Sequence, residues 1–347
     1  YADRPEVAGE LAHHFERARE TERALFWLVA AGERARQGYA YREALRYFRR
    51  AVVLMGQERI DGLAARALSG LAITHWDTVG ERGMRWGWLE RALEIWKMLG
   101  DRQGIAEACY TLAYRYADFE RARAVVRQGL EAAEGVDGLE RLVSYGYGML
   151  ARFYEHEGDF RQARRWAERQ LELSRDLGDE SGMAYAHHRL GSLLLRAGGP
   201  MEEAVAHARE AVRRIERLGW TGLAAGSHSV LGNCLLALGR TAEAETEGWA
   251  SLRMSTEPDI PWRRCWALHL LAEVATLRGE WGKGLRLLRQ AEGMESRRPG
   301  HYQDLILLRT RGRLAARRGD LDTASTLSLI HISEPTRLGI SRMPSSA

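Results

Sequence analysis

The sequence contains few of the residues that mark disulfide frameworks, metal knuckles and membrane spans. Its three cysteines, Cys109, Cys234 and Cys265, are far apart and odd in number, which excludes a disulfide framework and a CxxC metal site. No apolar run approaches the ~18 residues that cross a bilayer, and no basic segment followed by an apolar core opens the chain. We therefore expect a cytoplasmic protein without a membrane segment.

Proline and lysine are also scarce. Only 7 prolines occur in 347 residues, while hydrophobic residues make up 45% of the chain, which is typical of a folded, helix-rich protein. Lys97 and Lys283 are the only lysines, so arginine carries nearly all of the positive charge. Because acidic residues are interspersed with the arginines and the net charge is only +4, the pattern does not predict direct nucleic-acid binding.

Motifs for catalysis or metal binding are weak. The glycine spacing at residues 146–151 fits a dinucleotide fingerprint, but that fingerprint follows a strand and these residues lie in a predicted helix. The pairs His13-His14 and His187-His188 are adjacent, and adjacent helical side chains point about 100° apart, so neither pair closes on one metal without further ligands. We predict no catalytic residues, no resident metal, no cofactor in this segment and no enzyme activity.

A pattern of paired helices recurs about every forty residues. The second helix of each pair carries a small residue at the same position, at intervals of 40 or 41 residues: Ala122, Ala163, Ala204, Ala244, Gly284 and Ala324. The first helix carries a matching pair of residues: Leu112-Ala113, Leu150-Ala151, Leu190-Gly191, Leu231-Gly232, Leu271-Ala272 and Arg311-Gly312. Earlier units are predicted at Ala24 and Ala44, with a degenerate one around Ser69-Gly70 and Leu89-Ala92, which gives about eight or nine units in all.

One unit, from Tyr147 to Leu173, resembles the tetratricopeptide signature. It has Leu150-Ala151 and Tyr154 in the first helix, a Gly158-Asp159 turn, and Ala163 in the second helix. A small residue lets two helices approach closely, and a unit of this size hides its apolar face only by stacking on its neighbours. We therefore predict an all-α fold, an α-solenoid of tetratricopeptide-like helical hairpins with a period of about 40 residues and a right-handed superhelix.

In this architecture the first helices line a concave groove. Side chains two or three positions before, and one or two after, the small pair are expected to point into that groove. Mixed aromatic, arginine, histidine and asparagine side chains suit a protein or peptide partner, or a small-molecule inducer. The predicted groove residues are Tyr110, Tyr114, Tyr145, Arg152, Glu155, Tyr185, His188, Ser192, Ser229, Asn233, Trp266, His269, Glu273, Arg309 and Arg313.

Three regions are distinguished along the chain. Residues 1–57 are expected to join the array to an upstream domain, residues 58–326 to form the repeat array, and residues 327–347 to be a non-native tail. The tail contains LSLIHISEPTR and SRMPSSA, strings that resemble translated sequencing adapter, and its helical pattern stops in mid-repeat. The chain also opens at Tyr1 inside a helical pattern, so we expect it to be a fragment.

The stretch from Pro5 to Val52 resembles the junction between the nucleotide-binding domain and the tetratricopeptide array of large bacterial signal-transduction ATPases. The resemblance rests on residues 11–15 (LAHHF), Trp27, residues 31–35 (AGERA) and residues 43–45 (EAL). Similar arrays occur in LuxR-type and related ATP-dependent transcriptional activators and in ATPase-linked class III cyclases. The resemblance implies a sensor or scaffold region, with ATP bound by a missing upstream domain. An array attached to a cyclase or protein kinase, and a stand-alone scaffold, remain alternatives.

Overall fold

A computed structural model describes the helical part of the chain. It covers residues 7–37, 40–56, 58–79, 86–114, 116, 118–255, 261–292, 310–313, 315–316, 319–320 and 322. Fifteen α-helices of ten or more residues account for most of these residues, and no strand occurs among them. The predicted all-α fold of tetratricopeptide-like hairpins is therefore confirmed. None of the described helices is both long and apolar enough to cross a bilayer.

The chain divides into two compact units, Tyr1–Gly146 and Tyr147–Ala347, with the division inside α8. The helices up to that division are α1 (Ala8–Arg17), α2 (Thr21–Gln37), α3 (Tyr41–Met55), α4 (Gly62–Val79), α5 (Trp86–Leu99), α6 (Arg102–Ala113), α7 (Phe119–Ala133) and α8 (Glu140–Glu157). The helices after it are α9 (Phe160–Asp176), α10 (Glu180–Ala197), α11 (Met201–Arg217), α12 (Thr221–Ala237), α13 (Thr241–Met254), α14 (Pro261–Leu277) and α15 (Trp281–Glu292).

Short turns of a glycine followed by an aspartate separate some of the helices. Gly100 and Gly178 have positive φ angles and follow the ends of α5 and α9, where glycine relieves the strain that a side chain would introduce. The aspartate that comes next caps the following helix, because its carboxylate accepts a hydrogen bond from a free backbone N–H: Asp101 from Gly104, at 2.8 Å, and Asp179 from Ser181, at 3.2 Å. Each of these turns therefore ends one helix and starts the next.

The small residues of the repeat frame lie where two helices of a hairpin approach most closely. Ala122, Ala163, Ala204 and Ala244 are fully buried, and each is the fourth residue of its helix. Opposite Ala204, a Cβ added to Gly191 would lie 3.2 Å from the backbone nitrogen of Ala208. Such a contact leaves almost no room for a side chain, so glycine at residue 191 sets the distance between α10 and α11.

The first unit contains a similar close approach, built around one aromatic ring. Phe48 of α3 is fully buried, and its ring occupies the space beside Gly32 of α2 and Gly70 of α4. Ala24 and Ala44, which the sequence suggests are separate units, lie in the two helices of a single hairpin, α2 with α3. Their spacing of only twenty residues is half a repeat, so the prediction of two units at this place is wrong.

Within the second unit, alternate helices form a layer. We call α10, α12 and α14, together with residues 147–157 of α8, the A-helix layer; α10 contacts α12 directly, and α12 contacts α14. The partner helices α9, α11, α13 and α15 pack against the other side of this layer. The right-handed superhelix and the region boundary at residues 57/58 stay predictions, and residues 327–347 lie outside the described part of the chain.

Candidate partner-binding surface

The A-helix layer carries hydrogen bonds from one repeat to the next. At one end Glu155 of α8 is buried and accepts three hydrogen bonds from α10: from Arg189 Nη1 at 3.3 Å, Ser192 Oγ at 3.2 Å and Arg196 Nη1 at 2.7 Å. Burial raises the pKa of Glu155, but the charges of Arg189 and Arg196 outweigh that effect and hold the pKa below its ordinary value. Glu155 is therefore an ionised anchor for two arginines.

A comparable contact ends the layer at α14. Glu273 is buried and accepts hydrogen bonds from Thr310 Oγ1 at 3.1 Å and from Arg313 Nη1 at 3.2 Å. His269, one turn earlier on α14, also hydrogen-bonds Thr310 through Nε2. Both ends of the layer thus hold a buried glutamate that pairs with arginine from the next repeat.

The centre of the layer is a cluster around Gly226. His188 of α10 lies with Nδ1 2.8 Å from Ser227 Oγ of α12. Gly226 leaves a gap beside this contact, into which Arg263 of α14 extends: a Cβ added to Gly226 would lie 2.7 Å from Arg263 Nη1 and 3.7 Å from His188 Cε1. Residues of three successive helices of the layer therefore meet at one glycine.

Burial sets the charge states in this central cluster. It lowers the pKa of His188 to about 4, with the positive charges of Arg189 and Arg263 adding to the effect, so His188 is neutral at pH 7. Burial also lowers the pKa of Arg263, to about 10, and the negative charge of the Tyr185 phenolate, when that group ionises, acts in the opposite direction. Arg263 is consequently a cation at pH 7, held in a partly dehydrated position where a negative partner is attracted strongly.

Aromatic side chains border the cluster. Tyr185 of α10 is exposed, and its ring centroid lies 5.3 Å from that of Trp220, which precedes α12. Amphipathic rings that are partly exposed are the usual anchors of protein–protein contacts, because they bury a large area at little conformational cost. The A-helix layer thus combines a cation, neutral hydrogen-bonding groups and aromatic anchors.

The predicted groove residues do not all lie on this face. Tyr110, in the first unit, is buried; its ring packs on Gly129 and Gly146 and lies 5.7 Å from the exposed ring of Tyr145, measured between centroids. Ser229 is buried with its Oγ 2.8 Å from Ser251 Oγ of α13, so it points into the hairpin. Both Tyr110 and Ser229 therefore stabilise hairpins.

The remaining predicted residues fall into three groups by exposure. Arg152, Tyr185 and Arg313 are exposed, and Tyr114, His188, Ser192, Asn233 and Trp266 are half-buried. Glu155, His269 and Glu273 are buried, and each forms hydrogen bonds with side chains of the next repeat. Arg309 lies outside the described residues. The groove role of all these residues stays a prediction.

Four residues that form the contacts of the A-helix layer are absent from the predicted groove residues. Arg189, Arg196, Gly226 and Arg263 were not predicted, although they complete the contacts described above. On α14 the predicted positions are residues 266, 269 and 273, and residue 263 lies on the same helix face one turn earlier. On α10, residue 196 lies on the same face as the predicted residue 192, one turn later. Extending the helical stripe by one turn in each direction would have found Arg196 and Arg263.

Among the described residues, no group of three or more histidine, cysteine, aspartate or glutamate side chains is placed to hold a metal ion. Cys109, Cys234 and Cys265 are buried thiols outside any disulfide. The glycines of residues 146–151 lie inside α8, where they cannot form a phosphate-binding loop after a strand.

The tetratricopeptide repeat family matches three stretches of the chain: residues 145–169, 225–247 and 266–290. Each stretch runs from a helix of the A-helix layer across the turn into its partner helix, in the frame predicted from the small residues. No protein with a curated description matches the chain in sequence. The chain therefore contains tetratricopeptide repeats, the structural unit of many protein-interaction scaffolds.

Several solved structures share the fold at low sequence identity. A Rap protein complexed with competence and sporulation factor has a TM-score of 0.62 at 12% identity, covering 92% of this chain and 99% of its own. Aspartyl phosphate phosphatase F from Bacillus subtilis has a TM-score of 0.65 at 12% identity, covering 99% of this chain and 97% of its own.

A third similar structure is that of a larger protein. It is a signal transduction ATPase with numerous domains from Pyrococcus horikoshii, which has a tetratricopeptide repeat sensor. Its TM-score is 0.60 at 15% identity, and the match covers 96% of this chain and 53% of that protein, so this chain spans about half its length. At these identities the similarity demonstrates the fold.

Proposed function

We propose that the A-helix layer binds a protein or peptide segment rich in acidic side chains, and that the chain acts as a sensor or scaffold without catalysis of its own. The observation that carries the proposal is the placement of Arg263 over Gly226, beside His188 and near enough to the exposed Tyr185 for an electrostatic effect. A partly buried guanidinium beside an aromatic anchor is suited to a carboxylate, because the low local dielectric strengthens a charge-assisted hydrogen bond.

The wider charge distribution of the layer supports an acidic partner. Arg189, Arg196 and Arg313 hold buried glutamates, and Arg152 and Arg263 add further positive charge. At Glu155, one negative charge faces the two positive charges of Arg189 and Arg196, so this contact keeps a net positive charge. Such a surface attracts acidic partners and repels basic ones, which favours specificity and rapid association.

Selection of binding peptides from a random library tests the proposal. A twelve-residue library displayed on phage is selected against the full chain, and the selected peptides are synthesised with a fluorophore. We expect aspartate and glutamate to be enriched and Arg263→Gln to weaken binding by tenfold or more, since each charged hydrogen bond contributes about 1.5–3 kcal/mol.

Arg165→Gln is the matched control for that measurement. Arg165 is an exposed arginine of α9, outside the A-helix layer, so its replacement makes the same change in net charge. Binding should be unchanged by Arg165→Gln. Selected peptides without acidic enrichment, or equal losses in both variants, would contradict the proposed mode of binding.

We further propose that the array belongs to a larger ATP-dependent signalling or transcriptional regulator. The support is the resemblance of residues 5–52 to a nucleotide-binding-domain junction and the fold shared with the repeat sensor of a signal transduction ATPase. In such a protein, a partner that binds the array shifts the ATPase only if it prefers one of the two conformations. Sequencing the gene on both sides tests this: we expect a phosphate-loop ATPase upstream, and a start codon immediately before Tyr1 with no such motif would contradict it.

A further inference from the structure

Two histidines of one hairpin lie in contact on the half-exposed side of α10 and α11. Nδ1 of His187, on α10, is 2.8 Å from Nδ1 of His207, on α11, and the ring planes are 41° apart. The sequence places His187 next to His188, but those two side chains point in different directions; the partner of His187 comes from the other helix, twenty residues later. The fold therefore creates a histidine pair that the sequence does not show.

The distance between the two nitrogens allows one proton between them. A neutral imidazole carries a hydrogen on one ring nitrogen and a lone pair on the other, so one Nδ1 donates and the other accepts. A metal ion can take the place of this hydrogen bond once the donor ring carries its hydrogen on Nε2, so that both Nδ1 lone pairs are available and turn toward a point beside the line between the two nitrogens. When two nitrogens each lie about 2.0–2.1 Å from one metal ion, with a nitrogen–metal–nitrogen angle of about 90°, they are about 2.9 Å apart. The larger angle of tetrahedral zinc requires a nitrogen–nitrogen separation of about 3.3 Å.

We propose that His187 and His207 form a binding site for Cu²⁺ or Ni²⁺, with water completing the coordination on the exposed side. The observed 2.8 Å separation fits two neighbouring positions of a square-planar or octahedral ion. Copper and nickel also bind nitrogen ligands more tightly than earlier divalent metals of the series. Two protein ligands are consistent with the lack of any cluster of three such side chains among the described residues.

A carboxylate, that of Glu203, lies near the ring nitrogen of His207 that faces away from His187. Oε1 of Glu203 lies 3.9 Å from Nε2 of His207, and Glu203 is itself held by Arg164 Nη2 at 2.9 Å. A carboxylate facing the second ring nitrogen favours the tautomer with hydrogen on Nε2, which leaves the Nδ1 lone pair available for the metal. Glu203 thus favours the tautomer of His207 that offers Nδ1 to the ion.

The position of the pair decides what a bound ion would do to the fold. His187 lies on α10 and His207 on α11, so the two rings come from the two helices of one hairpin. An ion bound here would link the two helices of the hairpin and stabilise them against separation.

Calorimetric titration of the full chain with NiCl₂ at pH 7.5 tests the site. We expect one equivalent to bind to the wild-type protein, and His187→Gln and His207→Gln each to weaken binding by tenfold or more. His14→Gln is the control, because His14 is an exposed histidine of α1 and its replacement should leave binding unchanged. Circular dichroism melts establish whether the variants are folded.

A second measurement is independent of the variants. The electron paramagnetic resonance spectrum of the wild-type protein with one equivalent of CuCl₂ should show hyperfine coupling to two imidazole nitrogens. A wild-type protein that does not bind Ni²⁺, affinities equal among wild type, His187→Gln and His207→Gln, or a copper spectrum with fewer than two nitrogens would overturn the proposal.

Discussion

Arg263 of α14 extends across α12 at Gly226, with Nη1 2.7 Å from the point where a Cβ at residue 226 would lie. The two helices meet where the long, flexible side chain of Arg263 lies against Gly226, which has no side chain. Because the atom in question is the far end of an arginine, a methyl group at residue 226 displaces the guanidinium and leaves the backbone in place. A substitution of Gly226 therefore tests partner binding without disturbing the folding of the chain.

Gly226→Ala should weaken binding of the selected acidic peptides while leaving stability equal to or greater than that of the wild type. Alanine is favoured over glycine inside a helix by about 0.5–1 kcal/mol, and the displaced Arg263 no longer lies beside His188. Fluorescence anisotropy measures the first effect and urea denaturation the second. Gly282→Ala, in α15, is the control: its Cβ would only come within 3.6 Å of Arg286 Nη1, so peptide affinity should not change.

Glu155→Gln should lower stability by about 1–3 kcal/mol at pH 7, because two partly buried arginines lose their negative partner. The pKa of Glu155 is lowered in the folded chain, so its contribution is present above the ordinary value of 4.5 and is lost as pH falls through the lower folded pKa. The difference between wild type and variant should therefore shrink as the pH falls below about 4.5.

Urea denaturation at several pH values between 7 and 3 measures that difference. Glu172→Gln is a suitable control, since Glu172 is an exposed glutamate of α9 and its replacement makes the same change in charge. A difference for Glu155→Gln that stays constant down to pH 3 would show that the ionised carboxylate does not stabilise the fold.

Gly70→Ala should destabilise the first unit by about 1–3 kcal/mol. Its Cβ would lie 2.4 Å from Cε1 of the buried Phe48 ring, and an overpacked core forces shifts that cost this much. Phe48→Leu in the same chain should recover part of the loss by vacating the space. Gly87→Ala, where nothing lies within 4 Å of the added Cβ, should cause no loss. Equal melting curves for Gly70→Ala and Gly87→Ala would argue against the described packing.

The buried cysteines should resist alkylation in the native protein. Burial raises the pKa of Cys109 to about 11 and that of Cys234 to about 12, so the reactive thiolate is scarce at pH 8 as well as inaccessible. Intact mass spectrometry should show no addition of iodoacetamide during a period in which the urea-unfolded chain gains three adducts. Rapid labelling of Cys109 or Cys234 without urea would contradict the described core.

The sequence predicted the repeat well because its signal is local and repeated. Ala163, Ala204 and Ala244 recur at nearly equal spacing, and each is buried at the same place in its helix. The first hairpin was predicted less well, since Ala24 and Ala44 both look like second-helix residues when neighbouring helices are not seen. Only the packing of α2 against α3 identifies them as one hairpin.

The candidate surface was predicted only in part, for a physical reason. A helical stripe shows which face a residue is on, but not whether its side chain turns back into its own hairpin, as Ser229 does toward Ser251. Contacts between repeats, such as Arg196 with Glu155, join residues about one period apart, and the choice between several arginines depends on side-chain conformation. The contact between His187 and His207 also depends on side-chain conformation, so the sequence does not predict it.

The proposed function requires that partners occupy the A-helix layer. Hydrogen exchange of the full chain, measured by mass spectrometry with and without a selected acidic peptide, tests this directly. We predict slower exchange on binding in α10, α12 and α14, centred on peptides that contain Gly226 and Arg263, with α9, α11, α13 and α15 unchanged. Protection confined to those four partner helices would show that the peptide binds the opposite face.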